Sequence, residues 1–249
     1  MKNRILDQMI RSIALVKKDV MIYYSKGPVV LMGVLWPAIM FISFAFGRGM
    51  AIEALMPGLI GVSVFFTCSA IAPVAFPWET AQRTLERLVS APVAIWTILF
   101  GDMLASALVG VIISIVPILI AIGFGVSFTG PITLALAIIT GSVCFATMAL
   151  LLSVAPVSGP QYAQMLSTLV KFPLLFISGV FIPLKDLPEA ARVIGFISPL
   201  TYFTDIARYA TGHGSFLPLY VDFLAIIAFT VVFWVIAVRF HKRTLPMRV

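Results

Sequence analysis

Apolar residues in this chain gather into six long blocks, with most polar residues between the blocks or at the two ends. The blocks lie at about 28–46, 56–76, 93–124, 132–154, 165–183 and 217–238. About 20 apolar residues in helical conformation cross a bilayer. Five blocks have that length. The block from Val93 to Phe124 exceeds it, so its first third is expected to extend a helix beyond the membrane, with the span itself at 103–124. That register leaves Asp102 near the interface, where a charge costs little. Pro37 and Pro117 remove backbone donors within spans and predict kinks. The pattern predicts an all-α membrane protein with six transmembrane helices.

Three segments break this rhythm. In residues 1–26, Ile5, Met9, Ile13, Val16, Val20 and Tyr24 recur every three or four positions, with Lys2, Arg4, Arg11, Lys17 and Lys18 on the remaining surface. This predicts a basic amphipathic helix lying along headgroups. A signal peptide does not fit, because the charged region is too long and no small-residue cleavage site follows. Residues 77–92, PWETAQRTLERLVSAP, predict a short helix bounded by prolines, with Glu79 and Arg83 as an i,i+4 pair. Its apolar stripe of Trp78, Ala81, Leu85, Leu88 and Val89 suits either a membrane surface or a protein groove. Residues 184–215 are too interrupted to be a span and too apolar to be a soluble loop. Together with the preceding Ser178-Gly179, they predict a helical hairpin that dips back into the membrane.

Composition supports the membrane reading. The 249 residues are 61% hydrophobic and 11% charged, against the ~25% charged typical of soluble domains. The net charge of +7 does not point to nucleic acid, because the basic residues follow the topology instead. With the amino end inside, cytoplasmic segments carry twelve Lys/Arg and outer loops carry four: Arg48, Lys185, Arg192 and Arg208. That bias places both termini in the cytoplasm. Lys171 is intramembrane and is expected to snorkel to the inner headgroups. Cys68 and Cys144, both in apolar runs, read as packing residues rather than a metal or disulfide framework.

Catalytic motifs are missing from the sequence. There is no phosphate-binding Gly-x-x-x-x-Gly-Lys-Ser/Thr loop and no His-Glu-x-x-His pair. His213 is expected in the outer loop and His241 in the basic tail, so neither supports intramembrane proteolysis. No acidic residue falls at the centre of a span, Asp222 being nearest at about one turn into the sixth. That weakens ion coupling and leaves the energy source to an external motor.

Three features together resemble the membrane subunit of type 2 ATP-binding-cassette (ABC-2) exporters. They are the basic leader, the E-x-x-x-x-T-L-E-x-L-x-x-x-P segment from Glu79 to Pro92, and the ordered series S-G-V-F-I-P…L-P…S-P-L-T-Y…D-x-x-R from Ser178 to Arg208. The resemblance covers essentially the whole chain and is nearest to drug-resistance and lipooligosaccharide exporters. It implies that residues 77–92 form a cytoplasmic coupling helix. Glu79, Arg83, Glu86 and Arg87 would make polar contacts, and Leu85 and Leu88 apolar ones, with an ATPase on a separate chain. It also implies that the leader is a connecting helix lying against that ATPase. The hairpin becomes an outer gate built on Ser178, Gly179, Pro183, Pro188, Pro199, Tyr202, Asp205 and Arg208. Ser198-Pro199 would start its last helix, and Asp205 would pair with Arg208.

The resemblance further implies two membrane subunits, identical or related, around a path lined by the first, second and fifth spans, with two ATPase subunits beneath. Trp36, Phe41, Phe44, Phe65, Phe66, Phe172 and Phe176 are the path candidates, lipid-facing packing being their other reading. No cofactor is expected on this chain; ATP and magnesium belong to the partner. The implied site is the inner membrane of a prokaryote, with no nucleic-acid partner. The implied activity is export of a hydrophobic or amphiphilic molecule. Polysaccharide export, an ion-coupled carrier or channel acting alone, and an anchor for an ATPase are the alternatives.

Overall fold

Prolines and glycines decide where the apolar blocks become helices. A computed structural model of the chain describes residues 2–24, 31–48, 52–84, 90, 93–155, 157 and 159–244. Helix α1 spans Lys2–Asp19 and runs into a wider π-helical turn, Val20–Tyr24. A second π-helical turn, Leu31–Leu35, precedes α2, Trp36–Arg48. This widening lies just before Pro37, whose missing N–H upsets the hydrogen-bond ladder there. Helix α3, Ile52–Cys68, and α4, Ala72–Ala81, form one interrupted rod. Helices α5, Ile95–Gly123, and α6, Pro131–Leu152, follow, and Pro117 lies within α5 without ending it. Helix α7 is Pro160–Ile177. A 3-10 turn, Leu184–Asp186, leads to α8, Glu189–Gly195, and α9, Pro199–Ala210. The last helix, α10, is Leu219–Thr244.

Four of these units are long and apolar enough to cross a membrane: 52–81, 95–123, 131–152 and 219–244. Residues 31–48 and α7 occupy the expected first and fifth positions but are shorter or less apolar. The second span differs most from its sequence-based boundaries. Pro77 does not open a new helix; it lies inside α4, which continues the span to Ala81. Pro73, not Pro77, occupies the first turn of α4, where its N–H would lack a partner anyway. The break falls earlier, at Ser69–Ile71, because Pro73 cannot donate to the Ser69 carbonyl four residues back.

Helix α9 sits in the middle of the fold. Ten of its twelve residues are buried, and it packs against α3, α6 and α10. Phe203 fills the space that a glycine at 141 leaves on α6, where any Cβ would collide with the ring. Gly58 on α3 plays a similar part: a Cβ there would lie 2.7 Å from the Val180 backbone oxygen. The main core joins Ile60, Phe65, Phe145, Leu175, Leu200, Phe203 and Ile206.

Helix α1 and the turn after it pack on α5 through the later part of the apolar stripe, Val16 and Val20, with Leu15 beside it. Leu15 joins Ile98, Leu99 and Met103, and Val16 joins Ala105 and Val109, whereas Met9, Ile10 and Ile13 stay exposed. Gln8 Oε1 accepts from the Ala94 N–H at 3.2 Å and from the Thr97 hydroxyl at 2.7 Å. It thereby ties α1 to the residue before α5 and to a side chain in the first turn of that helix.

Candidate functional site

A row of aromatic rings runs along α2, α3 and α7. Trp36 meets Phe172 edge-on at 5.9 Å between ring centres, and Phe66 meets Phe172 at 5.7 Å. The row continues through Phe172–Phe176 at 6.5 Å and Phe176–Phe181 at 5.7 Å, ending where Phe181 stacks on Phe44 at 4.5 Å. Phe41 borders the narrow cleft beside Phe44 but turns its ring toward Phe124. Phe65 departs from expectation. It is fully buried and packs edge-on against Phe145 at 5.2 Å, so it belongs to the core behind the row. Adjacent residues on a helix point about 100° apart, so Phe65 and Phe66 cannot both face the row. Phe181 is the member that sequence reasoning missed; its place after the Gly179 turn was the available signal.

Two cavities lie near these elements, and only the smaller is lined by members of the row. One, of about 200 Å³, is lined by Trp36, Phe66, Ala70, Gln164, Thr168, Lys171 and Phe172. The other, of about 440 Å³, lies between Ala54, the Pro183–Asp186 turn, Asp205, Arg208 and the His213–Phe216 loop.

Lys171 does not snorkel. It is 2% exposed and donates from Nζ to the Ser69 carbonyl at 3.0 Å, with its ammonium 5.8 Å from the centre of the Phe66 ring. The bond supplies the donor that Pro73 withholds from Ser69, which explains the inward turn.

The outer hairpin is held by charges that bond to backbone. Asp205 accepts from the N–H groups of Phe216 and Leu217 at 2.8–2.9 Å. Arg208 donates to the carbonyls of Gly179 and Val180 at 2.9 and 3.3 Å. The expected direct Asp205–Arg208 pair is not among the salt bridges of the described residues. Each group finds closer partners in the irregular chain beside it. Burial pushes the Asp205 carboxyl above the ordinary aspartate range, while its backbone donors and Arg208 pull it back.

Gly179 adopts φ +73 and turns the chain out of α7. Pro183 and Pro188 precede the 3-10 turn and α8, and Pro199 occupies the first turn of α9. Ser198 stands at the cap position, but its hydroxyl makes no capping bond. The hydroxyls of Thr201 and Tyr202 instead tie α9 to Gly195 and Phe196, and Ser178 bonds back to Leu175. His213 borders the 440 Å³ cavity.

At the other end, four charged groups from three helices meet. Lys18 bonds to Glu79 and lies 2.9 Å from Asp19, and Asp102 faces Asp19 and Glu79. Asp102 is thus buried among charges rather than set at an open interface. Burial alone would lower the Lys18 pKa; the three carboxylates reverse that and raise it above the ordinary lysine value. Glu79 therefore pairs with Lys18 and not with Arg83. Arg83 has φ 55 just past the end of α4, a left-handed stop that points it away from the helix face. The coupling residues Leu85, Glu86, Arg87 and Leu88 lie outside the described residues.

His241 is a further correction. Helix α10 extends to Thr244, and the ring is buried against Phe76, with Nε2 3.0 Å from the Ser153 hydroxyl and 3.1 Å from the Leu150 carbonyl. A carbonyl only accepts, so Nε2 carries the proton. Ser153 therefore gains no base from it. Asp222 is buried in the first turn of α10, where the helix dipole favours a carboxylate.

The sequence profile described as ABC-2 type transporter matches residues 12–211, from the leader through α9. The chain belongs to the ABC-2 type transporter family. Among ABC-2 relatives, the inner membrane transport permease YadH of Escherichia coli K12 is 27% identical over 198 residues, covering 79% of this chain and 77% of that protein. ABC transporter G family member 20 of Dictyostelium discoideum is 35% identical over 140 residues. Those residues are 55% of this chain but 19% of that much longer relative. As an ABC-2 chain, this is a membrane component of an ABC transporter system, a class that is generally not itself catalytic.

Proposed function

We propose that this chain forms the membrane half of an ATP-driven exporter that moves a hydrophobic or amphiphilic molecule from the cytoplasm or inner leaflet to the outside. The observation that carries the reading is the aromatic row from Trp36 to Phe181, with a cavity lined by Trp36, Phe66 and Phe172 at one end and a narrow cleft lined by Phe44 and Phe181 at the other. A sugar path combines aromatic faces with polar groups, whereas this row is mostly bare phenylalanine, which favours a drug or lipid over polysaccharide. In this reading α2, α3 and α7 line the path, and 31–48 and α7 complete a six-span topology with both ends in the cytoplasm. The turn-and-helix segment 184–215 re-enters from outside as the gate. The segment that follows α4, up to Pro92, docks into an ATPase on a separate chain, which holds ATP and magnesium. A second membrane subunit faces the aromatic row, with two ATPases below, in a prokaryotic inner membrane.

The test is reconstitution with the cognate ATPase in liposomes. Export of a fluorescent amphiphile is expected to need ATP and the partner. Leu85→Asp or Glu86→Ala should leave insertion intact while separating hydrolysis from transport. Phe172→Ala should lower transport more than basal hydrolysis. Transport by this chain alone, without ATP or partner, would return the ion-coupled carrier or channel to first place.

A further inference from the structure

We infer that the cavity around Lys171 binds the anionic end of an amphiphile, a phosphate or carboxylate borne on an apolar tail. The inference rests on the exporter reading and narrows its substrate class.

The fold leaves donors over at this cavity. An ammonium has three protons. One of those on Lys171 goes to the Ser69 carbonyl, and among the described residues no carboxylate pairs with the charge. A buried cation without a counter-ion is costly. Filling the orphaned Ser69 carbonyl does not require a charge, since a neutral donor would serve. The Trp36 indole N–H borders the same cavity and is buried without an acceptor. Thr168 and Gln164 add polar groups to the wall, although the Thr168 hydroxyl already bonds to the Gln164 carbonyl. The site thus holds a positive charge and a spare N–H, and an anion completes both.

Size and surroundings define the rest of the ligand. About 200 Å³ is below the ~300 Å³ of small pockets that enclose a drug-sized molecule, so the cavity accepts one end of a ligand. Phe66 and Phe172 form its apolar walls, and the row continues through the exposed Phe176. That is the direction for a tail. Depth agrees. Lys171 lies six residues inside the expected span at 165–183, or about 9 Å at 1.5 Å per residue, a depth that suits the head of an amphiphile held by its tail.

The experiment uses the full purified chain in neutral phosphatidylcholine nanodiscs and tail-brominated probes of equal length. The probes are dodecanoate, dodecyl phosphate, dodecanol and dodecyltrimethylammonium. The readout is the saturable quenching of tryptophan fluorescence that Trp36→Phe removes. Both anions are expected to bind more tightly than the alcohol, with the cation weakest; their relative affinities distinguish a phosphate from a carboxylate site. Lys171→Gln keeps a donor for Ser69 and should weaken anion binding about thirtyfold, the low end for unpairing a buried ion pair, while Lys171→Arg preserves it. Ala70→Leu fills the cavity without touching the lysine and should abolish saturable quenching; it decides the matter if Lys171→Gln does not fold. Equal binding of alcohol and anions, an anion preference that survives Lys171→Gln, or saturable quenching that survives Ala70→Leu overturns the proposal. The assay needs no ATPase. Anion binding without ATP-driven transport would leave the site standing and remove the exporter reading, whereas ATP-driven transport without anion preference would do the reverse.

Discussion

The outer hairpin and the inner charge cluster use buried ions in opposite ways. At the hairpin, Asp205 and Arg208 each bond to two backbone groups of neighbouring irregular chain. Those bonds hold a turn and a loop in one geometry. At the inner end, Lys18, Asp19, Glu79 and Asp102 come from three helices and meet one another. One ammonium serves three carboxylates there, so the balance depends on how α1, α4 and α5 are placed. A bracket built on backbone resists motion. A cluster shared among helices is sensitive to it, which suits the end that receives force in the exporter reading.

The largest expected effect tests the inner cluster. Lys18→Met removes the cluster's one cation among the described residues and should destabilise the chain by about 3–5 kcal/mol, as for other broken buried pairs. Thermal unfolding of the purified protein measures it, and adding Asp102→Asn should recover part of the loss. A loss confined to the level of a surface pair would mean that the three helices do not depend on one another. Next is Arg208→Ala, which leaves two carbonyls without their charged donor, at about 1.5–3 kcal/mol. Hydrogen exchange should rise in 178–183 and stay unchanged in α1; a rise at both ends would erase the contrast.

Gly58→Ala should cost about 1–3 kcal/mol, because the new methyl meets the Val180 backbone, which cannot rotate away. Cysteine labelling at an introduced Ser215→Cys should accelerate as the turn is pushed off α3. The smallest effect sharpens the description of the bracket. A double-mutant cycle on Asp205 and Arg208 should give a coupling of about 0.5 kcal/mol or less, since each bonds elsewhere. A coupling of several kcal/mol would restore the direct pair expected from their i,i+3 spacing.

Several parts of the site were legible along the chain. The aromatic candidates on α2 and α7, Phe41 apart, fell on one row because each lies in an apolar helix whose period fixes its neighbours. Pro199 and Gly179 were readable as a helix start and a turn. The break at Ser69 was equally available, since Pro73 withholds a bond from the residue four before it, yet the apolar run around it masks the signal. Other features were not legible. The i,i+4 spacing of Glu79 and Arg83 is a local regularity, and it lost to Lys18, which is 61 residues away in sequence. His241 looks like a tail residue until α10 is seen to carry it against Phe76.

Taken alone, the sequence determined that the chain is helical, that it belongs in a bilayer, and where its long apolar runs lie. Transfer of a 20-residue apolar run into lipid depends on that run's own composition, so no partner has to be known. The tertiary structure decided which charge meets which: Lys18 with Glu79, Arg208 with the turn after α7, and Lys171 with a carbonyl left open by a proline on another helix. Each of those choices compares the cost of burial with the partners that distant helices bring within about 3 Å, and that comparison exists only after the helices have packed.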